Sequence, residues 1–152
     1  MKYVMVSSLM LYFLISCQQP TANRQPMNPL IGTWQLISGT TIQGKDTVTT
    51  TYTGNKRFLK IINGTHFSFV GHDLTKGKDS LAFYSSGAGT YTLTDSNYTE
   101  HLQFCSDRVW EGNDFSFHIV VSNDSLTQTG IEKIEKINVN RLNIERYVRV
   151  KE

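Results

Sequence analysis

This chain contains few cysteines and few prolines, and its positive and negative charges nearly balance. Its 152 residues include two cysteines and three prolines, with 15 Lys and Arg against 13 Asp and Glu. A net charge of +2 without a basic cluster gives no support for a nucleic-acid partner. The four histidines are spread out, and no His or Cys pair has metal-ligand spacing. Because no nucleophile can be paired with a base either, we expect no metal, no cofactor and no enzymatic activity.

One long apolar run is present, at the amino terminus. It follows Lys2 and extends from Tyr3 to Ile15, with two serines inside it. The run is shorter than the about 20 residues that a membrane-spanning helix needs, so it predicts a signal peptide. It ends in Leu14-Ile15-Ser16-Cys17, which resembles the lipobox of bacterial lipoproteins. The resemblance implies cleavage before Cys17, acylation of its thiol with chains such as palmitate, and a lipid anchor in the cell envelope, at the outer membrane.

Three segments are predicted from these features. Residues 1–16 form the cleaved signal peptide, and residues 17–28 form a flexible polar tether that contains two prolines. Residues 29–152 form one domain, since no further composition shift or repeat follows. With Cys17 acylated, Cys105 is the remaining cysteine, so the domain cannot form an internal disulfide.

Residues 29–152 contain short runs of β-branched and aromatic residues that alternate with polar ones and are separated by Gly, Asn, Asp and Ser. They predict ten strands, at 32–42, 47–53, 56–62, 65–71, 80–85, 89–94, 98–104, 115–121, 125–130 and 143–151. Gly87-Ala88-Gly89 is interpreted as a turn, and residues 131–137 as a helical turn or an irregular segment. The predicted fold class is all-β, a single antiparallel up-and-down β-barrel of 8–10 strands after a cleaved signal peptide. A two-sheet sandwich is the alternative.

The first and last predicted strands carry a family resemblance. Gly32 and Trp34 form a Gly-x-Trp pattern that resembles the opening strand of lipocalins and intracellular fatty-acid-binding proteins, and Gly32 is expected to make room for the indole. The chain is most similar to small bacterial lipocalin-like lipoproteins. The resemblance implies that a late arginine packs across Trp34, and Arg146 is assigned to this barrel-closing role. It also implies that Tyr147 and Arg149 meet the polar end of a ligand.

Glu100 shares the apolar face of a predicted strand with Tyr98. A buried carboxylate needs a cation, and Arg149 is the first candidate, followed by Arg146. The pair forms either a structural clasp near one end of the barrel or part of a ligand site. Aromatic residues alternate on other strands and would line an apolar cavity. The predicted ligand-binding residues are Glu100, Tyr98, Tyr147, Arg149, Phe67, Phe69 and Phe117.

Two functions stay open at this point. The first is a membrane-anchored, lipocalin-like binding protein for a small apolar or amphipathic molecule in the bacterial cell envelope. The alternative is an envelope protein-interaction module, an assembly subunit or enzyme inhibitor without an internal ligand, which would use the loops at 72–79 and 106–113. Trp110 lies in the second loop and serves either as an anchor for a protein partner or as a plug at the barrel end. An enclosed cavity of roughly a few hundred Å³ with Glu100 or Arg149 on its wall would favour the first function.

Overall fold

Nine antiparallel strands and two single 3-10 turns make up the computed structural model, which describes residues 28–78, 80 and 82–151. The strands are β1 Gly32–Gln43, β2 Asp46–Thr51, β3 Lys56–Ile62, β4 His66–Asp73, β5 Tyr84–Thr94, β6 Asn97–Cys105, β7 Asn113–Ser122, β8 Ser125–Ile134 and β9 Val139–Arg149. The 3-10 turns are Arg108–Trp110 and Glu135–Ile137. The predicted signal peptide, Cys17 and nearly all of the predicted tether lie outside the described residues. In the described part of the chain, no helical segment has the length and apolar character of a membrane span.

The sheet closes on itself because β1 pairs with β9 as well as with its neighbours in sequence. β3 pairs with residues 32–35 of β1, and β2 pairs with residues 38–43 along the same edge. These two strands therefore lie end to end and occupy one position in the barrel. The result is a closed, eight-stranded antiparallel barrel of the up-and-down type. The predicted fold class is confirmed, and the alternative of a two-sheet sandwich is wrong.

Alternation along each strand separates the barrel interior from its surface. On β7, Phe115, Phe117 and Ile119 are buried, whereas Ser116 and His118 between them are exposed. Successive side chains of a strand point to opposite faces, so each strand contributes every second residue to the core. The same period that predicts strands from the sequence therefore also assigns their inner faces.

The predicted turn at Gly87-Ala88-Gly89 is wrong, because these residues lie inside β5. The two strands predicted at 80–85 and 89–94 are replaced by this one strand, with a register shift between Ala88 and Gly89. A Cβ atom at Gly87 would collide with the ring of Phe69, and one at Gly89 would collide with the carbonyl of His101. Glycine is used here for close packing between strands rather than for reversal of the chain.

The segment 131–137 is divided between two kinds of structure. Residues 131–134 continue β8, and Glu135–Ile137 form a 3-10 turn. Asn138 then adopts a left-handed conformation with a φ of 54° and leads into β9 at Val139. The helical interpretation therefore applies only to the last three residues, and the final strand begins earlier than the predicted residue 143.

The two ends of the barrel differ. At one end, short turns at 63–65, 95–96 and 123–124 join the strands, and the amino-terminal residues of the described domain cover the opening. We call this the closed end. The interior beside it is packed with buried side chains: Leu30, Trp34, Leu36, Ile62, Phe67, Tyr98, Leu126 and Tyr147. At the other end, which we call the open end, lie the longer connections at 74–83 and 106–112.

Candidate functional site

Arg149 seals the closed end. Its guanidinium lies 4.1 Å from the centre of the Trp34 ring, a cation–π contact. It also donates hydrogen bonds to the carbonyl oxygens of Ile31 at 2.9 Å and Pro29 at 2.5 Å. The Trp34 indole in turn donates to the Leu30 carbonyl at 2.8 Å. The last strand is thus tied to the segment that precedes the first strand, and Arg149 lies at the opposite end of the barrel from the open end.

This arrangement corrects the assignment of Arg146 as the barrel-closing arginine. Tyr147 and Arg149 share the inner face of β9, so Arg146 points outward and is exposed. The role of Gly32 also differs from the expectation. Gly32 has a φ of +147°, and a Cβ atom there would collide with the guanidinium of Arg149. The missing side chain makes room for the arginine that covers Trp34, not for the indole itself.

A cavity of about 260 Å³ occupies the half of the barrel next to the open end. Residues from β3 through β9 and from the 106–112 loop form its wall. Ligand pockets commonly measure about 300–1,000 Å³, so this cavity suits a ligand at the small end of that range. The expected size and the position of Glu100 on the wall are therefore confirmed, whereas the cavity is open to the outside rather than enclosed, and Arg149 is absent from its wall.

The floor of the cavity is a buried polar cluster. Lys60 from β3 donates hydrogen bonds to Glu100 of β6 at 2.5 Å and to Gln128 of β8 at 2.9 Å. Lys60 and Gln128 are both 2% exposed, and Glu100 is 7% exposed. Buried charges require such pairing, because each ion loses its hydration. The expectation that Arg149 or Arg146 would pair with Glu100 is therefore wrong, and Lys60 is its partner.

Burial is the main cause of the shifted pKa values of the ionisable groups at the floor. Loss of solvent raises the pKa of Glu100, and the adjacent Lys60 ammonium opposes this rise. The same loss of solvent, with the nearby carboxylates, raises the pKa values of Tyr98 and Tyr147 well above that of a free tyrosine. The Tyr98 hydroxyl is fully buried beside Glu100, whose carboxylate raises the pKa of Tyr98 through its charge and as a hydrogen-bond acceptor, although the contact falls short of good hydrogen-bond geometry. The floor thus leaves this hydroxyl weakly satisfied.

A second ion pair lies nearer the open end. Arg141 donates to Glu132 at 2.6 Å, and Asn143 donates to the other carboxylate oxygen of Glu132 at 2.9 Å. Burial raises the pKa of Glu132, while Arg141 opposes the rise. The guanidinium of Arg141 also lies 5.2 Å from the centre of the Trp110 ring. This pair therefore connects β8 and β9 to the loop that borders the cavity.

Glu145 is the third interior glutamate, and it has a different environment. Its carboxylate accepts a hydrogen bond from the Tyr147 hydroxyl at 2.7 Å. Among the described residues, no Lys, Arg or His forms a salt bridge with it. Glu145 lines both the main cavity and a second cavity of about 270 Å³ beneath the β1–β2 hairpin. It is thus a half-buried carboxylate that faces open space, and the two cations that share its cavity, Lys60 and Arg141, are each paired with another glutamate.

Aromatic rings form the apolar part of the wall. Phe58 and Phe69 stack with their centres 5.5 Å apart, and Tyr52 meets Phe58 edge-on at 5.7 Å. On the opposite side, the rings of Trp110 and Phe115 lie 5.7 Å apart. Such contacts between rings hold aromatic side chains in fixed orientations. The cavity therefore combines a polar floor with a rigid aromatic wall.

Trp110 is held in place by its own loop. The Glu111 carboxylate accepts hydrogen bonds from the Cys105 backbone N–H at 2.9 Å and from Arg108 at 2.8 Å, and these bonds lower the pKa of Glu111. The Asn113 side chain donates to the Trp110 carbonyl at 3.0 Å. Of the two roles left open for Trp110, the structure gives it a place in the cavity wall near the barrel end.

The predicted ligand-binding residues separate into three groups. Those that line the cavity are Glu100, Tyr147, Phe69 and Phe117. Phe67 and Tyr98 pack below the floor, where the Lys60 ammonium lies 5.8 Å from the centre of each ring. Arg149 is at the closed end. Whether any of them binds a ligand stays a prediction.

Sequence reasoning missed the residues that complete the polar interior. They are Lys60, Gln128, Glu132, Arg141 and Glu145. A usable signal was present for Lys60, because it lies between Phe58 and Ile62 at a spacing of two and so shares their inner face. No comparable signal indicates from the sequence which strands meet across the barrel. Within the described residues, no group of three or more His, Cys, Asp or Glu side chains is arranged to hold a metal ion.

Comparison with known proteins adds no relative to these observations. No protein-family model matches the chain, and no match was found among curated proteins or solved structures.

Proposed function

We propose that this protein is a membrane-anchored, lipocalin-like binding protein that holds a small amphipathic molecule in the bacterial cell envelope. The single observation that carries the proposal is the cavity of about 260 Å³ with a polar floor and an aromatic wall. Eight-stranded barrels have interiors that side chains can fill completely. Here the half next to the closed end is filled, and the half next to the open end is not.

The composition of the cavity wall supports an amphipathic ligand rather than a purely apolar one. Phe58, Phe69 and Phe115 offer apolar surface, whereas Glu100 and Glu145 offer hydrogen-bond acceptors. A few polar groups set among apolar ones are what ligand sites use to fix orientation. The volume favours a compact molecule over a long-chain fatty acid.

The anchor is proposed from the sequence, through Leu14-Ile15-Ser16-Cys17. Several acyl chains on Cys17 would hold the domain at a membrane, because each buried methylene contributes about 0.8 kcal/mol. We expect Cys17→Ser to abolish labelling with an alkyne analogue of palmitate and to release the protein from the membrane fraction. Cys105→Ser is the matched control, since the chain has two cysteines, and it should label normally. Equal labelling of both variants would contradict the anchor.

The binding function is tested by native mass spectrometry of the full-length chain, extracted from bacterial membranes in a mild detergent. We expect a bound small molecule on the wild-type protein. Ser85→Phe places a ring inside the cavity and should remove the bound mass, because Ser85 lies on the cavity wall. Ser86→Phe is the matched control, because Ser86 pairs with the exposed Val70 on the outer face of the same strands, and it should keep the bound mass.

Two results would contradict a binding function. One is a wild-type spectrum without any bound small molecule. The other is an identical bound mass in the Ser85→Phe variant, which would place the molecule outside the cavity. A protein rather than a small molecule recovered with the wild-type chain would instead favour the alternative of an envelope interaction module.

A further inference from the structure

We propose that the ligand of this cavity carries a positive charge, an amine or guanidine group, and that Glu145 binds it. This inference rests on the proposed binding function and goes beyond it by naming the chemical class of the ligand. It also departs from the expectation that the last strand meets a ligand's polar end through Arg149, which is occupied at the closed end.

The count of charges in the cavity wall is the first observation. Three glutamates line it, Glu100, Glu132 and Glu145, and only two cations face them, Lys60 and Arg141. Lys60 is paired with Glu100 and Arg141 with Glu132. Two pairs leave one carboxylate over, so the cavity has one unbalanced negative charge, on Glu145. Asp107 at the rim adds a further acidic group.

The three glutamates also act on one another. The charge of Glu145 raises the pKa of Glu100 and that of Glu132. A cation bound at Glu145 would relieve both repulsions, whereas an anionic ligand would increase them. The groups that face Glu145 from neighbouring strands are Gln128 of β8 and Gly39 of β1, and neither carries a charge.

The surroundings of Glu145 suit a cation in two further ways. The Tyr147 hydroxyl is hydrogen-bonded to one carboxylate oxygen and leaves the other available to the cavity. The aromatic wall presents ring faces, which attract ammonium and guanidinium groups. The protein itself uses such contacts here, with the Lys60 ammonium 5.6 Å from the Tyr147 ring and the Arg141 guanidinium 5.2 Å from the Trp110 ring.

The buried Tyr98 hydroxyl is an independent observation at the floor. It is fully buried, and its contact with the Glu100 carboxylate lacks good hydrogen-bond geometry, although native proteins satisfy nearly all such groups. It also lies within reach of the charge of Glu145. A hydroxyl can accept a hydrogen bond from an ammonium group or from a water that accompanies it. The floor thus has more hydrogen-bonding capacity than the protein's own groups use.

The test compares three probes of similar size that differ in charge: 2-phenylethylamine, 2-phenylethanol and 3-phenylpropionate. Binding to the full-length chain in detergent is measured by calorimetry at neutral pH and low salt. We expect the amine to bind at least tenfold more tightly than the alcohol, and the carboxylate to bind more weakly than both. Glu145→Gln keeps the size and the hydrogen-bonding oxygen of the side chain. It should weaken amine binding about ten- to a hundredfold, the range for a hydrogen bond to a charged group, and weaken alcohol binding much less, because glutamine keeps an acceptor oxygen for the neutral hydroxyl.

Asp95→Asn is the matched control variant. It removes one negative charge at the closed end, where Asp95 has a φ of 54° that asparagine adopts readily, and it should bind the amine as the wild type does. If the alcohol or the carboxylate binds as tightly as the amine, or if Glu145→Gln leaves amine binding unchanged, the cationic ligand is refuted while the binding function stands. If none of the probes binds and Ser85→Phe also changes nothing in the mass spectrum, both proposals fail.

Discussion

The Lys60–Glu100 pair offers the sharpest test of how this barrel interior is built. Lys60→Met replaces the cation with an apolar side chain of similar length and leaves Glu100 buried without its partner. Breaking a buried ion pair on one side costs about 3–5 kcal/mol. Small domains have an unfolding free energy of about 5–15 kcal/mol, so the variant should fold but be much less stable. With a urea dependence of about 1–3 kcal/mol per M, the unfolding midpoint should fall by roughly 1–5 M.

The pH dependence of this loss follows from the direction of the pKa shift. Burial already raises the pKa of Glu100 above the ordinary value of 4.5, and in Lys60→Met no ammonium opposes the rise. A folded-state pKa above the unfolded one means that the folded state binds more protons, so the variant loses stability progressively as pH rises from about 4.5 towards the raised folded-state pKa. The difference between variant and wild type should therefore be large at pH 7 and small near pH 4.

A double-mutant cycle supplies the control for this prediction. Glu100→Gln alone leaves the Lys60 ammonium buried without a carboxylate, whereas the double variant Lys60→Met with Glu100→Gln removes both charges. Replacing both members of a buried pair is often neutral or stabilising, so the double variant should lie within about 1 kcal/mol of the wild type. Urea unfolding followed by tryptophan fluorescence measures all four proteins. A cost below about 1 kcal/mol for Lys60→Met at pH 7, or a cost that does not change with pH, would refute the reasoning.

Two further predictions concern the closed end and the 74–83 loop. Arg149→Met loses two hydrogen bonds to carbonyl groups and should lower the unfolding free energy by about 2 kcal/mol. Arg146→Met on the outer face should change it by less than about 0.5 kcal/mol. Equal losses of the two variants in urea unfolding would contradict the assignment of Arg149 as the residue that closes the barrel. Asp73 accepts hydrogen bonds from the backbone N–H groups of Gly77 at 2.8 Å and Phe83 at 3.0 Å, which lower its pKa. The ionised Asp73 carboxylate therefore stabilises the loop at pH values above its unfolded pKa of 3.8, and this stabilisation is lost as pH falls below that value. Hydrogen-exchange protection of the Gly77 and Phe83 amides should accordingly be constant from pH 7 to 5 and absent in Asp73→Ala. Protection that survives in Asp73→Ala would show that the loop is held by other contacts.

The fold could be predicted because its main determinant is local. The alternation of Phe115, Phe117 and Ile119 with polar residues is visible in any window of five residues, and it fixes both the strand and its inner face. The turn predicted at Gly87 failed for a reason that is not local. This glycine is required by the ring of Phe69 on the neighbouring strand, and no window of five residues contains both residues.

The candidate site was harder to predict because its residues meet only when the barrel closes. Lys60 is 40 residues from Glu100 and 68 residues from Gln128 along the chain. Alternation places each of them on an inner face, but their heights along the barrel depend on the pairing register of several strands. The choice of Arg149 as the partner of Glu100 was wrong on this account. Both residues point inward, but Arg149 lies opposite Trp34 at the closed end, whereas Glu100 lies at mid-height.

The polar floor explains why one half of the barrel is solid and the other half is open. Lys60, Glu100 and Gln128 satisfy one another across the interior, and an apolar side chain in place of Lys60 or Glu100 would leave a buried charge unpaired. The packed residues of the closed end therefore stop at this level. Above it, Glu132 and Arg141 are held by each other and Glu145 keeps contact with open space, so collapse of the aromatic wall inward would desolvate three more charges. Such an interior is less tightly packed than an apolar core would be, and it retains a cavity of defined size and charge.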